Sequence, residues 1–145
     1  MNLILLAIAA LGFLAEGTVP DFTGIWKQNN EQCSPKRTGD VTLSIQHRDP
    51  QLLVETTSKG RAAKHALQRY TTDGLESKST GADGDEFHSR AVWKDGSLIF
   101  DIIEIEDGKR LKSTEIWSLT DGGMTLRRVR RTEKSGEQTL IYIRK

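Results

Sequence analysis

The sequence predicts an all-β protein, an antiparallel up-and-down meander closed into a small barrel of eight to ten strands. Asp-Gly pairs recur at 73–74, 83–84, 95–96, 107–108 and 121–122, in steps of 10, 12, 12 and 14 residues. Both residue types tolerate the positive φ of a type I′ hairpin, so the repeat reads as a series of tight turns. Between the turns lie runs rich in β-branched and aromatic residues, the composition of strands. After residue 17 no stretch carries apolar residues at helical spacing. A meander of this length leaves two exposed edges unless it closes on itself, which favours a barrel. An open two-sheet sandwich is the other architecture, but sandwiches usually need Greek-key crossovers.

Taken in order, residues 3–14 form a continuous apolar run, shorter than the roughly 20 residues of a membrane span. Ala15 and Gly17 supply small residues at the −3 and −1 positions of a cleavage site, so 1–17 reads as a signal peptide. No Lys or Arg precedes the apolar run, which keeps an uncleaved anchor as the second reading. Cleavage would leave one domain, 18–145, secreted or periplasmic and without a stable membrane span.

Phe22-Thr23-Gly24-Ile25-Trp26 opens the first strand, where Gly24 allows close backbone approach and Trp26 can plug one barrel end. Residues 29–40 are polar, contain Pro35 and Gly39, and read as a loop. Val41 to His47 alternates strictly, placing Val41, Leu43, Ile45 and His47 on one face. Arg48-Asp49-Pro50 turns the chain and 52–57 returns as its partner. Further strands are expected at 62–72, 85–94, 97–106, 109–119, 124–133 and, after Ser135-Gly136, at 138–144. That makes nine strands, or ten if Leu75 to Thr80 also pairs.

The charge balance, 21 Lys and Arg against 20 Asp and Glu, gives no reason to expect nucleic acid as a partner. Cys33 is the single cysteine; it excludes an intrachain disulfide and, with no activating base beside it, reads as a neutral structural thiol. His47, His65 and His88 fall on three separate strands without short ligand spacing, so no metal is expected. Asp83, Asp85 and Glu86 read as turn carboxylates, too few for a calcium loop. No nucleophile elbow, P-loop or dinucleotide fingerprint occurs. The expectation is a non-enzyme with no cofactor.

Gly24-Ile25-Trp26, the meander and the last strand with Arg144 make the chain resemble the calycin group, which holds lipocalins and fatty-acid-binding proteins. It looks closest to small secreted bacterial lipocalin-like domains. Tyr70 to Gly74, Trp93 to Gly96, Glu115 to Gly122 and Tyr142 to Lys145 carry the likeness along the chain. The resemblance implies a basic side chain packed over Trp26, and Arg144 is the position matched to it, with Arg131 as second choice. The chain departs from lipocalins in having no helix after the last strand, and from fatty-acid-binding proteins in having no room for a helical lid in 29–40.

Alternation places Phe87, Ser89, Ala91 and Trp93 on one face, Leu98, Phe100 and Ile102 on one face of the next strand, and Leu111, Ser113, Glu115, Trp117 and Leu119 on one face of the third. With Leu126 marking the inward set, Arg128 and Arg130 point into the lumen and can meet Glu115. Two readings stand together. In one this is a structural ion pair, because buried arginines need partners. In the other, Arg128, Arg130, Tyr142 and Glu115 bind a small hydrophobic or anionic amphipathic molecule; a guanidinium suits a carboxylate, and the arginine–tyrosine pairing is what the fatty-acid-binding resemblance implies. The rival at the level of function is a surface-interaction or scaffold module with a filled core. Residues 124–145 carry seven basic and two acidic side chains, which such a module could present.

Overall fold

The computed structural model describes residues 19–60, 64–81 and 83–145; the signal segment expected at 1–17 lies outside them. Ten antiparallel strands form one closed barrel: β1 (Gly24–Gln28), β2 (Asp40–Arg48), β3 (Gln51–Lys59), β4 (Lys64–Thr71), β5 (Ser77–Thr80), β6 (Glu86–Lys94), β7 (Ser97–Glu106), β8 (Lys109–Thr120), β9 (Thr125–Thr132) and β10 (Gly136–Arg144). Around the wall they run β1-β10-β9-β8-β7-β6-β5-β4-β3-β2, a meander whose first and last strands pair. The tenth strand, β5, is held to β4 by a single register pair, Leu67 with Thr80. Side chains bridge the rest of this seam: Ser79 Oγ accepts from the Arg69 N–H at 3.0 Å and Ser77 Oγ from the Thr71 N–H at 3.1 Å.

The Asp-Gly pairs divide into two kinds. At Asp95-Gly96 and Asp107-Gly108 both residues have positive φ, and they join the register neighbours Lys94 with Ser97 and Glu106 with Lys109, as a two-residue hairpin requires. Asp121-Gly122 also has both φ positive, but opens into a short 3₁₀ turn, Asp121–Gly123. At Asp73-Gly74 and Asp83-Gly84 only the glycine is left-handed, so the tight turn expected there is replaced by a longer connection. Asp73 is held instead by its own chemistry: its Oδ1 accepts from the Leu75 N–H at 3.1 Å, and its backbone bridges Val92.

The turns at 49–50, 72–76, 95–96 and 121–124 gather at one end, which is closed. Phe22 and Trp26 are fully buried there, each contributing about 1.5–3 kcal/mol through burial. Phe22 stacks on His47 and Trp93, at 5.5 and 5.7 Å, and meets Trp117 edge-on at 5.7 Å. The Trp26 indole donates to the Phe22 carbonyl at 2.9 Å. The Arg144 guanidinium covers the Trp26 ring at 4.2 Å and donates to the carbonyls of Gly123 and Thr23. Arg131 faces outward and pairs with Glu137 at 2.7 Å.

A second knot ties this end together. Asp49 Oδ1 accepts from Thr72 Oγ1 at 2.6 Å, Trp93 Nε1 at 2.9 Å and His47 Nε2 at 3.2 Å. The Phe22 N–H points at His47 Nδ1, 3.2 Å away, so Nδ1 accepts and Nε2 carries the proton given to Asp49. Partial burial pushes the Asp49 carboxyl up, but the bonds from Thr72, Trp93 and His47 outweigh it and hold its pKa below the ordinary value.

Residues 29–39 lie at the opposite, open end and continue the wall where β1 stops short. Asn29 N–H donates to the Ile141 carbonyl at 2.8 Å, and Ser34 and Thr139 exchange backbone bonds at 2.9 and 2.8 Å. Cys33 is buried against this edge, its Sγ 3.2 Å from the Asn29 carbonyl. No helical lid is present among the described residues.

At Gly24, φ is +150° and an added Cβ would lie 2.6 Å from Arg144 Nη1. Gly24→Ala should therefore push Arg144 off Trp26 and lower stability by about 1–3 kcal/mol, read by urea unfolding. An unchanged midpoint would show that the stack contributes nothing to closure.

Candidate functional site

Inside the barrel one cross-strand row separates a filled half from an open one. It runs Phe100, Glu115, Arg130, Gln138 across β7 to β10. The row beneath it, toward the closed end, is Leu98, Trp117, Arg128, Leu140. Below the dividing row Phe22, Trp26, Trp117, Tyr142 and their neighbours form continuous core, so the lumen there is packed. Above it lies a cavity of about 630 Å³, lined by Tyr70, Phe87, Ile102, Leu111, Glu104 and Arg130, among others.

Glu115 and Arg128 meet at the boundary. Arg128 Nε and Nη2 donate to Glu115 Oε1 at 3.1 and 2.8 Å, and Arg130 Nη2 stands 3.5 Å from Oε2. The Arg128 guanidinium also lies over two rings, 4.5 Å from the centroid of Trp117 and 5.6 Å from that of Tyr142. Burial pushes the Glu115 carboxyl up, but Arg128 and Arg130 more than reverse this and keep its pKa below the ordinary value. For Arg128, burial works against the charge and Glu115 more than restores it, so the guanidinium pKa is raised. Burial, then the Glu115 charge, raises the Tyr70 phenol. The pair is thus fully ionised, as a desolvated pair with good geometry can be.

The structure brings together four of the residues singled out in the sequence, at two depths. Glu115 and Arg130 line the cavity floor. Arg128 and Tyr142 sit below it, with side chains committed to Glu115 and to each other. Exposure separates the two arginines: the Arg128 side chain is 8% exposed and that of Arg130 36%. Gly24, Trp26 and Arg144 lie at the far, closed end, outside the cavity.

Sequence reasoning missed the acidic side of the mouth. Carboxylate oxygens of Asp85, Glu104 and Glu106 lie within 4.8 Å of one another; in the sequence Asp85 reads as a turn residue, and the two glutamates extend the face of Leu98, Phe100 and Ile102. Period-two alternation from Ile102 places both inward and would have found them. Burial, then the hydrogen bond and charge of Asp85, raises the Glu104 pKa. Arg37 was missed as well. It lies in the 29–40 loop, where no periodicity points a side chain anywhere, yet it donates from Nη2 to Gln138 Oε1 at 2.8 Å.

No protein-family model matches the sequence, and no curated protein matches it. Solved structures do. A Caenorhabditis elegans lipid binding protein 8 in its apo form superposes with a TM-score of 0.67 over 86% of this chain and 95% of that one, at 12% identity. An Echinococcus granulosus fatty-acid-binding protein 1 gives 0.64, over 85% and 96%, at 13% identity. The fold is shared with fatty-acid-binding proteins. It is shared equally with a secretory abundant heat soluble protein 4 from Ramazzottius varieornatus, at 0.66 over 88% and 97% with 13% identity. The similarity is one of architecture, and among the described residues the barrel carries no helical lid.

Two titrations of opposite sign follow. Glu115 has a depressed folded pKa, so its stabilisation is complete above pH 4.5 and fades as pH falls through the folded value. Glu115→Gln should cost about 3–5 kcal/mol at pH 7 by leaving Arg128 buried and unpaired, whereas the double variant Glu115→Leu/Arg128→Met should lose much less; equal losses in urea unfolding would refute the pairing argument. Glu104 has a raised folded pKa, so it costs stability as pH rises above 4.5. Glu104→Gln should raise the melting temperature at pH 7 and leave it unchanged near pH 3, and a gain of equal size at both pH values would contradict the assignment.

Proposed function

We propose that this protein is an exported, non-enzymatic barrel that binds a small hydrophobic or anionic amphipathic molecule in its open half. One observation carries the reading: the filled and open halves are separated by a buried ion pair, and above it stands a cavity of about 630 Å³, within the range that holds small ligands. Its wall offers Tyr70, Phe87, Ile102 and Leu111 to an apolar body, and Arg130 on the floor offers a guanidinium to a polar end. The lipid- and fatty-acid-binding names of the structural neighbours support a binding role. Export rests on the apolar segment 3–14 and the small residues before position 18.

The scaffold reading has its own support in the packed closed half, where Phe22 joins Trp93 and Trp117 in one aromatic cluster. The two readings differ in whether the open half holds anything. Native mass spectrometry of protein purified from its own host should show a bound small molecule released on denaturation, and a polypeptide mass lacking residues 1–17. Ile102→Trp should narrow the cavity and weaken the adduct while the barrel still unfolds cooperatively. A clean apo mass, with no uptake of apolar probes by the wild-type protein, would overturn the carrier reading and leave the scaffold.

A further inference from the structure

The outer wall of the barrel is uneven, and one part of it has the composition of a covered layer. We infer that the outer face of β6 to β10 is a self-association surface, on which a second copy of this chain packs about a two-fold axis running along β8. Strand β7 is apolar on both faces: Leu98, Phe100 and Ile102 point inward, and Ile99, Ile103 and Ile105 point outward with only Asp101 between them. A strand with water on one side alternates apolar with polar, and one that is apolar on both sides belongs between two layers. The outward side of β2, by contrast, is Thr42, Ser44, Gln46 and Arg48. Register extends the outer apolar stripe across the sheet as Val92, Ile99, Ile116 and Val129. Val92 is 47% exposed, and Val129 is buried without belonging to the interior core. This surface lies outside the barrel, so it stands whether or not the open half holds a ligand.

The charges beside the stripe decide the occupant. The next outer row toward the open end runs Arg90, Asp101, Thr114, Arg131, Glu137 across β6 to β10. Its signs read plus, minus, neutral, plus, minus, so the row reversed is its own complement. A two-fold axis along β8 makes that reversal: β7 of each copy faces β9 of the other, Asp101 meets the second copy's Arg131, and Thr114 meets Thr114. The same operation lays Ile99 on Val129 and Ile116 on Ile116. A two-fold axis across the strands would instead set Arg131 against Arg127, and like charges disfavour it. Asp101 makes no ion pair among the described residues, Arg90 turning instead to Glu76 at 3.7 Å and Arg131 to Glu137 at 2.7 Å. The Arg131–Glu137 contact uses Nε, which leaves the Nη groups for a carboxylate on the facing copy. A hollow of about 750 Å³ on this wall, lined by Asp101, Ile103, Thr114 and Arg131 among others, leaves room for that guanidinium. Toward the open end Lys112, the register partner of Ile103, would meet its own copy, which bounds the contact on that side. The wall curves away at β6 and β10, so the contact is small and the dimer weak, with a dissociation constant on the order of 100 µM.

Sedimentation equilibrium of the wild-type protein between about 10 µM and about 1 mM should show a reversible monomer–dimer equilibrium. Asp101 and Arg131 are both exposed, so changing them leaves the core alone, and near-ultraviolet circular dichroism of the closed-end tryptophans checks that it does. Asp101→Arg should weaken association about tenfold, because the two-fold repeats each contact. The exchange Asp101→Arg/Arg131→Asp should recover most of that loss, and Gln46→Arg, on the polar outer face of β2, should change nothing. A short bismaleimide should join Thr114→Cys to itself, since the axis passes there and the native Cys33 is buried, and should not join Gln46→Cys. A wild-type protein that stays monomeric to about 1 mM, or a dimer indifferent to Asp101→Arg, overturns the surface. A loss that the exchange does not relieve, or equal cross-linking of Thr114→Cys and Gln46→Cys, overturns the two-fold arrangement.

Discussion

A buried arginine must be answered by a carboxylate, and in this barrel the answer, Glu115 on Arg128, decides what the interior can be. The pair fixes β8 against β9 at mid-height. Below it the aromatic core closes, its Trp117 Nε1 buried without a hydrogen-bond partner; above it small polar side chains, Ser113 and Thr132 among them, join the wall and the lumen opens. The guanidinium is held by geometry as well as charge, since it lies over the rings of both Trp117 and Tyr142. The floor of the open half is therefore electrically settled, and the side chains still able to change partner are those at and above Arg130.

Most of the architecture is legible in the chain because a barrel meander leaves local marks. Alternation at 41–47, 87–93 and 98–102 fixes which side chains face inward, and the structure packs those sets into or against the core, Val41, Phe87 and Trp93 half-buried. Asp-Gly pairs report turns correctly in place, but not always in kind. Where flanking strands pair up to the turn, as at 94 with 97, both residues take the left-handed conformation. Where the aspartate is recruited by its own neighbours, as at Asp73, the turn lengthens. The fifth strand is barely visible in sequence for a physical reason: Ser77 to Thr80 has no apolar side chain, and toward β4 it is held by serine hydroxyls and one register pair.

The site is less legible than the fold. Glu115 and the two arginines stand out because charge on an inward face is costly, and a costly residue attracts notice. The depth of each is invisible, because residues 128 and 130 share a face and differ by only two positions. Only the register with β8 and β10 shows that one is committed and the other accessible. Arg37 leaves no pattern at all, since its position depends on how a loop docks on β10. The closed-end knot is similar: His47 sits in a strictly alternating strand, but Asp49, which gathers three donors, is hidden inside an ordinary turn.

Every strand neighbour in this barrel is also a neighbour in sequence, except where β1 meets β10. That one junction joins Arg144 to Thr23 across 121 residues. Closing a loop of that length costs about 4 kcal/mol in chain entropy, while the hairpins that make up the remainder of the wall form over short distances. The Trp26, Gly24 and Arg144 contact is therefore the place where a curved, open ribbon becomes a cylinder. Its glycine and its stacked guanidinium act as a latch, and the energy of that latch must repay the one long-range connection the topology demands.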